Sequence, residues 1–64
     1  MIIKFYVNGT PVDIYRCDGH IEYDAGGDPQ FIGLTDHDVR EIESKKHAAY
    51  RNYGYPAVLV YEDK

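Results

Sequence analysis

Tryptophan is absent, cysteine occurs once, and none of the 64 residues lies in a long apolar run. Each lack closes off a class of protein. A single cysteine, Cys17, cannot form an internal disulfide, so a reducing compartment is the simpler setting. No apolar stretch approaches the ~20 residues that span a bilayer. The N-terminus, Met-Ile-Ile-Lys-Phe-Tyr-Val, lacks the basic start and long apolar centre of a signal peptide. A cytoplasmic protein with no membrane contact is the expectation. Lys and Arg number seven against eleven Asp and Glu, a net charge of −4. Without clustered bases there is no patch to neutralise phosphates, so direct nucleic-acid binding is not expected.

What is present points to one small α+β domain over residues 1–64. A chain this short buries only ~60% of its unfolded surface, so its core is thin. Tyrosine supplies seven of the nine aromatics, which suits half-buried positions with a polar tip, and interface centres as well.

Asn8-Gly9 sits between two β-branched and aromatic runs, Ile2 to Val7 and Thr10 to Cys17. Asn-Gly there favours a two-residue type I′ turn, because both turn positions need positive φ. Pairing Val7 with Thr10 sets Phe5 against Val12, Ile3 against Ile14 and Lys4 against Asp13. Ile3, Phe5, Val7, Val12 and Ile14 then share a core face, and Ile2, Tyr6 and Tyr15 share the outer one. Asp18-Gly19 repeats the device. Pairing Cys17 with His20 adds Ile21 and Tyr23 to the core face and predicts a three-stranded antiparallel meander with strands near 2–7, 11–17 and 20–24.

Asp24 to Gln30 reads as loop, since paired glycines and a proline break regular structure. Phe31, Ile32 and Leu34 bring the chain back to the core. Thr35 is placed as a helix N-cap with Asp38 completing a capping box, Leu34 and Val39 as a staple, and Gly54 as the left-handed terminator. Val39, Ile42, Ala49 and Tyr53 form the predicted core stripe. Ala57 to Tyr61 is short and continuously apolar, which predicts a last buried strand. The expected architecture is therefore βββαβ, with the helix on one sheet face and the last strand parallel to the first, in order 3-2-1-4.

Few residues suggest chemistry. Cys17 and His20 could touch across their turn, but a structural zinc needs two further ligands, and His37 and His47 are ten residues apart on the helix. A surface thiol beside a surface imidazole is the simpler outcome. Gly26-Gly27 is bracketed by Asp24 and Asp28, which would repel a phosphate. Asp36-His37-Asp38 fits a solvated first helical turn. No cofactor, no metal and no enzymatic activity are expected.

Charge distribution is the more informative signal. From Asp18 to Glu43 there are eight acids and one base, Arg40, while the remainder holds three acids and six bases. The middle is thus −7 and the rest +3, an asymmetry that steers encounters. Glu22 and Asp24 alternate on one strand face, about 6.7 Å apart. Asp28, Asp36, Asp38, Glu41 and Glu43 could extend the row into a surface that meets Arg and Lys as phosphates do. Such a row would make the chain a nucleic-acid mimic, and in size and acidity, though in no motif, it resembles small phage-encoded inhibitors of restriction or CRISPR systems. The expected partner is a protein with a basic surface, such as a nucleic-acid-binding protein. The alternative is a homodimer joined through the outer sheet face, where Tyr6 and Tyr15 are placed.

Overall fold

The computed structural model describes residues 1–63, and its first feature is the predicted hairpin. Strands β1 (Ile2–Val7) and β2 (Thr10–Arg16) are joined by Asn8 at φ 51° and Gly9 at φ 78°, both left-handed as a type I′ turn requires. Val7 lies opposite Thr10 as expected, and Tyr6 opposite Pro11. There the register slips. A bulge places Asp13 opposite Phe5, Ile14 opposite Lys4 and Tyr15 opposite Ile3. The predicted Phe5–Val12, Ile3–Ile14 and Lys4–Asp13 pairs do not form. Pro11 stands immediately before the irregularity, and proline within a sheet is confined to edges and bulges. Val12 is the extra residue, so every later side chain of β2 changes face. Ile14 moves outward and is 41% exposed, whereas Val12 still packs against the core. Lys4 instead bonds Glu62 at 3.2 Å, and Asp13 bonds Lys45 of the helix at 3.0 Å.

β3 (His20–Tyr23) does not join β2. It pairs with a strand absent from the expected order, β4 (Pro29–Ile32), in a separate two-stranded antiparallel sheet. The cause lies at Cys17. Its amide donates to the Met1 carbonyl at 3.0 Å, and its carbonyl accepts from the Met1 amine at 2.7 Å. Both groups that would close a hairpin onto His20 are already used. The segment from Asp24 to Asp28 is the turn of this second hairpin, and Pro29 opens its return strand, where a missing N–H is tolerated.

Helix α1 (Asp36–Tyr53) has the predicted ends. The Thr35 hydroxyl accepts from the Asp38 amide at 3.2 Å, and the Asp38 carboxylate accepts from the Thr35 amide at 3.0 Å. Gly54 sits at φ 78° and its N–H donates to the Tyr50 carbonyl at 2.8 Å. No atom lies within 4 Å of where a Cβ would stand at Gly54. Gly54→Ala should therefore cost only the left-handed penalty of about 1 kcal/mol, and Gly54→Asn less, measured by urea unfolding.

β5 (Val58–Glu62) lies beside β1, giving the order β2-β1-β5, but it runs antiparallel rather than parallel. Parity explains the reversal. With β4 added, the chain returns to the end of the sheet where β3 began, so α1 and β5 both run opposite to the expected sense. Nor is β5 buried on both faces, because Val58 and Val60 are 66% and 39% exposed. Among the described residues the result is one helix and five strands in two antiparallel sheets. Ile42 joins Met1, Ile3, Phe5, Cys17 and Ile21 in one buried cluster. Val39 and Tyr53, predicted for the same helical stripe, are 48% and 51% exposed, and Tyr23 is likewise outside the core.

Candidate functional site

The second hairpin and the start of the helix carry most of the acidic middle. Residues 17–39 hold six acids (Asp18, Glu22, Asp24, Asp28, Asp36 and Asp38) and no Lys or Arg. Asp24 builds the turn from within. One carboxylate oxygen accepts from the amides of Gly26 at 2.9 Å and Asp28 at 3.0 Å, and the other from the Gln30 side chain at 3.3 Å. The sequence reading missed this role, although an aspartate two residues ahead of a glycine is the signal for such a turn. Glu22 lies 3.2 Å from His20, its same-face neighbour two residues back on β3. Asp28 and Asp36 are exposed. Hydrogen bonds from amides satisfy Asp24 and Asp38 without cancelling their charge, and Asp24, Asp28, Asp36 and Asp38 have no Lys or Arg partner among the described residues.

The helical acids do not continue a single row. Successive residues turn by about 100°, so Glu41 and Glu43 point to opposite flanks. Glu43 sits 3.5 Å from Lys46. Asp38 and Glu41 lie on the β2 side and are half-buried. There the bulge brings Tyr15, which the sequence had placed on the outer face. Its hydroxyl donates to Asp38 at 2.7 Å, tying β2 to the first helical turn. Tyr6 does lie on the outer face, in register with Val58 of β5.

That contact couples two ionisations. The hydrogen bond to Asp38 is the main cause pushing the Tyr15 hydroxyl up to about 12. The Thr35 amide, followed by the Tyr15 hydroxyl, holds Asp38 below the usual carboxylate range. A depressed carboxylate stabilises the fold above its unfolded value near 3.8, and that stability is lost as pH falls through the folded value. The raised phenol contributes below pH 10 and is lost as pH rises towards about 12. Tyr15→Phe should remove the tyrosinate titrating near 12 from the ultraviolet absorbance curve and return the Asp38 carboxyl towards its ordinary value by NMR titration. An unchanged curve would break the pairing.

Cys17 is not a surface thiol. It is buried at 7% exposure, with Sγ directed at the Met1 carbonyl 3.8 Å away, while His20 is exposed. The burial follows from the ladder that Cys17 makes with Met1. Among the described residues no group of three or more His, Cys, Asp or Glu is arranged to hold a metal, and no helix is long and apolar enough to cross a membrane. No family model, curated protein or solved structure matches this chain.

Proposed function

We propose that this protein acts by contact rather than catalysis, as an acidic binding or inhibitor protein whose β3–β4 hairpin meets a basic protein surface. One observation carries the proposal: the hairpin and the helix start hold five carboxylates, Glu22, Asp24, Asp28, Asp36 and Asp38, uninterrupted by Lys or Arg. In its sharp form the partner is a nucleic-acid-binding protein, and the carboxylates occupy the Arg and Lys positions that phosphates would take. It is the mode of a phage-type nucleic-acid mimic in the cytoplasm. The burial of Cys17 supports the non-enzymatic side, since a thiol nucleophile must be reachable.

Asp24 holds the turn together, so the informative charge reversal spares it. Glu22→Lys, Asp28→Lys and Asp36→Lys combined should leave the circular dichroism spectrum intact. Proteins eluted from DNA-cellulose should bind the immobilised wild type, be displaced by excess duplex DNA or by salt, and associate with the triple variant on the order of 10-fold more slowly. Equal retention by both forms would overturn the proposal. Binding that duplex DNA fails to displace would leave contact and remove mimicry.

A second function has its own observation. The outer face of β2-β1-β5 exposes Ile14, Val58 and Val60 at 41%, 66% and 39% beside Ile2 and Tyr6. Apolar patches of this kind mark self-association. The free edge of β2 is blunted by Pro11, by the bulge and by the Asp13 carboxylate, which accepts the Ile14 amide at 2.8 Å. A homodimer would use the face and not this edge, and sedimentation equilibrium would reveal it.

A further inference from the structure

One helix does not cover the whole inner face of a three-stranded sheet. α1 lies over β1 and β2, and none of its Cα atoms comes within 8 Å of a β5 Cα. The inward side chains of β5, Leu59 and Tyr61, therefore stay only partly covered. From the other side Phe31 of β4 leans in, its ring centroid 4.7 Å from that of Tyr61 and tilted by 49°. Leu34, Val39 and Ile42 complete an apolar trough of about 160 Å³, with Glu43 and Lys46 at its edge. Burial and the nearby Glu43 carboxylate raise the Tyr61 phenol, as expected for a ring set into an apolar wall.

The volume matches one benzene-sized group, and six of its eight lining residues are apolar or aromatic. Val39 at 48% and Phe31 at 41% exposure are otherwise uncovered. Charge decides what kind of group arrives. The hairpin that supplies Phe31 has no Lys or Arg, Asp36 flanks Val39 at i−3 on the helix, and Glu43 and Lys46 offset each other in an ion pair at 3.5 Å.

We propose that this trough is an anchor pocket for a single aromatic or branched apolar side chain on a partner segment, with Lys or Arg on either side of it. The flanking charges rest on the acidic-contact function proposed above, whereas the anchor stands on the trough itself.

The test uses two capped peptides, Arg-Lys-Phe-Lys-Arg and Arg-Lys-Ala-Lys-Arg, titrated into the whole protein while its methyl groups are followed by NMR. The Phe peptide should shift the methyls of Leu34, Val39, Ile42 and Leu59 saturably and bind at least about 10-fold more tightly than the Ala peptide. Val39→Phe, a change at a half-exposed helical position, should fill the trough and abolish that preference while the amide spectrum stays folded. In the Glu22→Lys, Asp28→Lys, Asp36→Lys variant both peptides should weaken with their ratio kept. If both instead bind this variant as they bind the wild type, the acidic-contact function fails and the basic flanks of the proposal with it. Equal affinity of the two peptides for the wild type, or shifts that miss the trough methyls, would overturn the anchor whatever the charge reversal does.

Discussion

Phe5→Ala is expected to cost ~3–5 kcal/mol and to leave much of the population unfolded at body temperature. Phe5 is fully buried, as are Met1 and Ile3, and it is the largest side chain in the central cluster. It sits on the middle strand, between Leu59 of β5 and Asp13 of β2, next to the bulge at Val12. Both neighbours are held by ladders, so the site cannot easily collapse around a missing ring. A domain of this size has only ~3–10 kcal/mol in total. Each kcal/mol lowers the melting temperature of so small a domain by about 4–8 °C. The fall in a thermal melt should thus exceed about 12 °C, while Val58→Ala, at a residue 66% exposed, should move it little. A Phe5→Ala protein that melts with the wild type would remove Phe5 from the core.

Gly19→Ala is the other severe change, for a different reason. A Cβ at Gly19 would stand 2.5 Å from Leu34 Cδ1 and 2.7 Å from the Ile32 carbonyl oxygen. Leu34 can rotate away, but the carbonyl belongs to the end of β4 and moves only if the hairpin moves. Overpacking of this kind costs about 1–3 kcal/mol, and the hairpin should lose hydrogen-exchange protection first. Gly19 is not among the glycines with positive φ, so its freedom is needed for close approach and not for a left-handed turn. Gly19→Asn separates the two cases. A left-handed turn would accept Asn, whereas a tight backbone crossing rejects it as it rejects Ala. Urea unfolding of both variants is the measurement, and wild-type stability in either would refute the crossing.

The acidic segment was legible as composition, and its arrangement was not. Charge counts located eight acids with one base from Asp18 to Glu43, and they could not show that Asp24 spends its oxygens on its own turn. The split of Glu41 from Glu43 follows from helical geometry alone and was within reach. The trough over β5 was not, since it exists only because of where α1 comes to rest.

By itself the sequence determined the features whose partners lie within a few residues. These are the Asn8-Gly9 turn, the Thr35–Asp38 capping box and the Gly54 terminator. Backbone sterics and one or two short hydrogen bonds decide each of them, and no distant segment competes. Tertiary structure alone decided the bulge at Val12, the face of Tyr15 and the direction of β5. Those choices go with contacts between residues 23, 32 and 58 apart, Tyr15 with Asp38, Asp13 with Lys45 and Lys4 with Glu62. Alternation along β2 favours the unbulged register, and the bulge after Pro11 overrides it. The ladder between Cys17 and Met1 then sends β3 to pair with β4, and that one added strand reverses everything that follows.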